Sequence, residues 1–188
     1  MFERLKIAAI ATALAATAAY AVFASTASPA ATEPAAVQNG APAPDFTGIN
    51  TWINSPPLDL KQLRGKVVLV EFWTFDCINC AHTVPYVKEW YSRYHDKGLV
   101  VVGVHTPELP IERSTDNLKK AVARFGIQYP VAQDNSYATW NAYNNQYWPA
   151  LYLIDQNGKI VYSHFGEGEY DQTEQTIRGL LGLDAKKG

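Results

Sequence analysis

Cys77 and Cys80 are the only cysteines in this 188-residue chain, and they stand two residues apart at a change of pattern. The apolar run from Lys66 to Trp73 leads into them, and helical spacing follows. This order of strand, C-x-x-C and helix puts the first sulfur at a helix N-terminus, where unpaired N–H groups and the helix dipole favour an anion. A thiolate there has a lowered pKa and is a usable nucleophile. The second cysteine is close enough to attack any mixed disulfide that the first one forms. A zinc site would need two more ligands, and no second cysteine pair exists. A structural staple across two residues would close a loop too small to constrain the unfolded chain. The residues therefore read as a dithiol that exchanges with disulfides.

The rest of the chain predicts an α/β domain. Ile49 to Ile53 reads as a short first strand, and Leu58 to Gly65 as one or two helical turns closed by glycine. Val67 to Trp73 is so continuously apolar that it fits a central strand covered on both faces. The helix after Cys77 carries Val84, Val87, Trp90, Tyr91 and Tyr94 on its apolar side, with Pro85 expected to kink it. Leu99 to His105 reads as a second buried strand. Ser114 or Thr115 caps a helix whose Leu118, Ala121, Val122 and Phe125 share a face, and Gly126 ends it. Ser136 to Ala142 reads as another short helix. Two strands, Pro149 to Ile154 and Lys159 to His164, flank an Asn157-Gly158 hairpin signal. A last helix has Asp171 and Glu174 as a capping-box-like pair and Ile177, Leu180 and Leu181 as its stripe. The expected architecture is a central mixed β-sheet with helices on both faces.

The N-terminus differs from this domain. Arg4 and Lys6 precede an apolar stretch from Ile7 to Ala24, and small residues follow at Ser25-Thr26-Ala27. Residues 1–27 thus read as a secretory signal peptide or an N-terminal membrane anchor. Residues 28–44 are rich in alanine and proline and read as a linker; 45–188 is the expected folded domain. Export puts the dithiol in the periplasm or a similar compartment, where disulfides persist and thiols need an electron source. With 18% charged residues and a net charge of -2, the chain has no basic surface that would suit nucleic acid.

Trp73-Thr74-Phe75-Asp76-Cys77-Ile78-Asn79-Cys80 resembles the active-site segment of the thioredoxin superfamily. Ala43-Pro44-Asp45-Phe46 resembles the opening of its exported TlpA-like branch. Gly103-Val104-His105-Thr106-Pro107-Glu108, Tyr147-Trp148-Pro149-Ala150 and Gly166-Glu167-Gly168-Glu169-Tyr170 resemble the thioredoxin-like domain of DipZ-type proteins in particular. The resemblance implies a thioredoxin-like fold and a thiol:disulfide oxidoreductase without cofactor or metal. Its expected substrates are protein disulfides, with cytochrome c maturation as a typical setting. The expected electron donor is a membrane protein of the DsbD/CcdA type.

The resemblance also implies roles for single residues. Cys77 takes the nucleophile's place and Cys80 the resolving one, together forming the redox-active disulfide. Glu71 interrupts the apolar strand six positions before Cys77, where relatives carry a buried acid that relays the proton of the resolving cysteine. Burial would raise its pKa toward neutrality, which suits a proton shuttle. Pro149 matches the proline that is cis in the family and faces the cysteines. Trp148 before it is expected to shape the substrate groove, and Trp73 to flank the site or pack in the core. Asn79 is a candidate hydrogen-bond donor to the sulfur, and His82 a candidate tuner of the thiols. Two other functions compete. A thiol peroxidase would use Thr74 and Cys77, but Val70 stands where its proline belongs. A copper-binding module of this fold would add His164 to the two cysteines, although such carriers usually space their cysteines by three residues.

Overall fold

The computed structural model describes residues 39–184. The N-terminal apolar segment expected to be a signal or anchor lies outside the described residues, as does most of the expected linker. Among the described residues, no helix is long and apolar enough to cross a membrane.

Six strands form one mixed sheet in the order β1-β4-β3-β2-β5-β6. Its centre is β2 (Val67–Trp73), parallel to β3 (Leu99–His105) on one side and antiparallel to β5 (Ala150–Ile154) on the other. Every residue of β2 is buried, as expected for an apolar run covered on both faces. β6 (Ile160–Phe165) completes the hairpin with β5. At the other end, β4 (Val131–Gln133) runs parallel to β3 and pairs antiparallel with β1 (Thr51–Ile53).

Side chains alternate across a strand, and the two cores follow that alternation. Val67, Leu69 and Trp73 pack with α1 (Ile78–Tyr94), with Leu118 and Val122 of α2 (Thr115–Phe125), and with Ile177 of α4 (Tyr170–Leu180). Val68, Val70 and Phe72 face Trp140 of α3 (Ala138–Ala142) and Tyr143, Tyr152 and Ile160. Phe72 makes edge-on contacts with Trp140, Tyr143 and Tyr152. The mixed sheet with helices on both faces is the expected thioredoxin-like α/β architecture. The same alternation assigns Glu71, between Leu69 and Trp73, to the face that α1 covers.

Several local expectations change. Residues 60–65 form hydrogen-bonded turns rather than a helix, ending at Gly65 with φ +84°; Leu60 is buried and Leu58 and Leu63 pack against the same core, but the segment is too short to nucleate a helix. α1 continues through Pro85 without interruption. Glu174 caps nothing: it accepts from the Tyr94 hydroxyl and pairs with Arg93 at 2.6 Å, while Glu169 occupies the cap position of α4 with no side-chain bond. Ser114 does cap α2, accepting from the Asn117 N–H at 3.3 Å. The end of the expected linker is part of the sheet region. Gly40 N–H donates to Ile160 O at 2.6 Å, Ile160 N–H to Ala41 O at 3.0 Å, and Ala43 N–H to Gly158 O at 2.9 Å.

Candidate active site

β2 ends at Trp73, and α1 starts at Ile78 with Cys77 as its N-cap residue. Both sulfurs are free, so the structure is that of the dithiol. Cys77 is half-buried, with extended backbone (φ -90°, ψ 120°), and its Sγ accepts the Cys80 N–H at 3.4 Å. Its pKa falls to about 6. The main cause is the hydrogen bond from the Cys80 thiol, helped by the backbone N–H groups of Cys80 and Asn79; burial and the charge of Glu108 oppose it. The expected contribution of Asn79 therefore comes from its backbone rather than its side chain. Cys80 is fully buried. Donating to Cys77 and being desolvated both push its pKa far up, and the charges of Cys77 and Glu71 add to this. One sulfur is ready to attack, and the other keeps its proton until something removes it.

Glu71 is fully buried beneath them. Desolvation raises its pKa to about 7, against the pull of a hydrogen bond from the Tyr129 hydroxyl to Oε2 at 3.0 Å. Its other oxygen, Oε1, has no hydrogen-bond partner among the described residues. A carboxyl group with that proton affinity, electrostatically coupled to a buried thiol, can accept the proton the thiol must lose.

The Trp148–Pro149 peptide bond is cis, and the Trp148 carbonyl lies 4.0 Å from Cys77 Sγ. Trp148 lies beside Trp140 with ring centroids 4.2 Å apart, and its Nε1 donates to Thr106 O at 3.0 Å. Of the two expectations for Trp73, the structure carries the core one. Trp73 is fully buried, edge-on to His105 and Phe125, so it has no surface for a substrate and packs the core instead. His105 is buried under the stacked ring of Phe75, its Nε2 3.2 Å from Thr74 Oγ1, and desolvation lowers its pKa to about 3. His82 is exposed and pairs with Glu167 at 3.2 Å. Among the described residues, no group of three or more His, Cys, Asp or Glu side chains is arranged to hold a metal ion.

Two residues of the site went unread in the sequence, Tyr129 and Glu112. The Glu112 carboxylate is fully buried and accepts three backbone N–H groups: Asp76 at 3.1 Å, Glu108 at 2.7 Å and Leu109 at 2.6 Å. It thereby ties the loop after β3 to the residue just before Cys77. Ile78, Leu109, Ile111 and Tyr147 are four of the five large apolar side chains exposed among the described residues. Ile78 follows Cys77, Leu109 and Ile111 are on the loop that Glu112 ties down, and Tyr147 precedes Trp148.

A family model described as Redoxin matches residues 38–181. Protein DipZ of Mycobacterium tuberculosis (strain CDC 1551 / Oshkosh) is 54% identical over 149 residues, which are 78% of this chain and 21% of DipZ. The chain thus spans about a fifth of the length of the DipZ proteins it matches. Thiol-disulfide oxidoreductase ResA of Bacillus thuringiensis (strain Al Hakam) is 32% identical over 145 residues, 77% of this chain and 78% of ResA. The crystal structure of the thioredoxin-like superfamily protein SPOA0173 superposes with a TM-score of 0.70 at 29% identity, covering 75% of this chain and 96% of that one.

Proposed function

The chain belongs to the Redoxin family and is an oxidoreductase of thioredoxin type, and from that premise we propose that it reduces protein disulfides in an exported compartment. The observation that carries the reading is the asymmetry of the dithiol: a half-buried Cys77 with a pKa near 6 over a sealed, protonated Cys80 beside Glu71.

The reaction runs in two displacements. The Cys77 thiolate attacks one sulfur of a substrate disulfide, a Cys77–substrate bond forms, and the substrate's other sulfur leaves as a thiolate that takes a proton from water. Glu71 then accepts the Cys80 proton. The new thiolate attacks Cys77 Sγ, closing the Cys77–Cys80 disulfide and releasing the second substrate thiol. The substrate gains two electrons and the dithiol loses them, so a donor must restore it. The DipZ likeness supports a membrane donor of the DsbD/CcdA type, and the TlpA-like resemblance supports haem-attachment thiols as one substrate class. Half-buried Trp148, joined by a cis bond to the buried Pro149, offers the incoming chain a surface beside Cys77.

Cys80→Ala leaves the first displacement intact and blocks the second. Expressed in its native compartment, this variant accumulates mixed disulfides with client proteins that mass spectrometry identifies. Absence of any captured protein, with Cys77 still reactive, defeats the proposal. Two observations disfavour a peroxidase: the Thr74 hydroxyl is engaged by His105, and position 70 is valine.

A further inference from the structure

Tyr129 reaches Glu71 from the segment between α2 and β4, and the sheet makes room for it. Gly103 of β3 is in register with Glu71. A Cβ at Gly103 would stand 2.9 Å from Trp73 Nε1 and 3.1 Å from Tyr129 Cε2, so the bare glycine lets the two rings lie over the strand. The Tyr129 ring also packs edge-on against Tyr91 of α1, with centroids 5.9 Å apart. Tyr129 has no exposed surface, and its hydroxyl donates to Glu71 Oε2. Other elements bring little charge to Glu71. β3 opposes it with Gly103, β5 with Leu151, and α1 contributes Cys80. Tyr129 and Cys80 are thus the titratable groups that face the carboxyl among the described residues.

We propose that Tyr129 is a positioning residue of the exchange reaction: its hydroxyl favours the ionised form of Glu71 and so keeps a carboxylate available to accept the Cys80 proton at neutral pH. This rests on the reading of Glu71 as the proton acceptor. Desolvation drives Glu71 toward its neutral form, and the tyrosine opposes it, leaving the pKa at about 7. Without the hydroxyl, desolvation acts unopposed. Glu71 then holds a proton at neutral pH, and Cys80 has nowhere to send its own. The first displacement uses the Cys77 thiolate alone and does not change.

Dithiobis(nitrobenzoate) separates the two displacements, because each releases one coloured thiolate. In the full-length protein, Tyr129→Phe moves the pH midpoint of the second phase up by about one unit, as expected for loss of a hydrogen bond to a charged group. At pH 7 the second phase slows about fivefold, recovers at higher pH, and the first phase stays as it was. The Glu71 carboxyl, followed by carbon-13 NMR, titrates about one unit higher as well. Site-specific replacement of Tyr129 by difluorotyrosine, a better donor of nearly the same shape, moves both midpoints down and tests the idea even if the phenylalanine variant folds poorly. Unmoved midpoints in Tyr129→Phe and in the fluorinated protein overturn the inference, while Glu71→Gln would still abolish the second-phase midpoint. Persistence of that midpoint in Glu71→Gln overturns both the inference and the role of Glu71.

Discussion

Glu71 and His105 pull the stability of the domain in opposite directions as pH changes. Glu71 holds a proton up to about pH 7, whereas the unfolded carboxyl loses it near 4.5. The folded state therefore binds more protons between those values, and its contribution is full below pH 4.5 and declines as pH rises toward 7. The difference amounts to about 3 kcal/mol. His105 stays neutral down to about pH 3, against 6.5 for a free imidazole. Its contribution is complete above pH 6.5 and is lost as pH falls toward 3. Between pH 4.5 and 6.5 the two slopes oppose each other. Glu71→Gln removes one of them. That variant should be more stable than the parent by about 3 kcal/mol at pH 8, with the gap closing as pH falls from about 7 to 4.5 and absent below that, as read from urea midpoints across pH. A gap of constant size at every pH would mean that the charge of Glu71 is not its source.

At the scale of elements, the start of α1 depends on a loop far from it in sequence. Glu112 lies 36 residues from Asp76, yet its carboxylate holds that residue's N–H and two more on its own loop. The same loop region receives the Trp148 indole at Thr106 O, and the Tyr137 hydroxyl at Pro107 O. Glu112→Gln keeps one acceptor oxygen for three part-buried donors. It should cost about 3 kcal/mol in a urea unfolding experiment; a loss below about 1 kcal/mol would show that the brace is idle. Such a brace explains what the sequence could and could not tell. Cys77, Cys80, Glu71 and Pro149 stand out because each breaks or ends a local pattern. Tyr129 and Glu112 break no pattern; they reach the site from loops 58 and 36 residues away from their partners, and only the folded chain brings them there. β2 and β3 were legible because burial on both faces made them valine-rich. β4 is three residues long, too short for a period to show; β1 is as short, yet it fell inside the run Ile49 to Ile53 that read as a strand. Residues 58–65 carried a helical spacing, and their leucines do pack on the core, but from turns, because the segment is too short to nucleate a helix.

For the whole molecule, the domain begins earlier than its composition suggests. Residues 40–43, alanine- and proline-rich like the segment before them, bond along the start of the edge strand β6. Covered edges resist pairing with other chains. A chain trimmed to start at Asp45 should melt about 9 °C below one starting at Asn39, given about 1 kcal/mol for each of the three lost backbone hydrogen bonds and about 3 °C per kcal/mol. Equal melting temperatures would return those residues to the linker. The six-stranded order also explains why the site is where it is: the central strand delivers Glu71 below the dithiol, and its antiparallel neighbour delivers Pro149 beside it.

With one sulfur at the surface and its mate sealed beneath, the pair presents a valency of one to the outside. Any disulfide, thiol or oxidant that reacts with the pair must enter by the same atom, in single file, and no two of them can hold opposite ends of the dithiol at once.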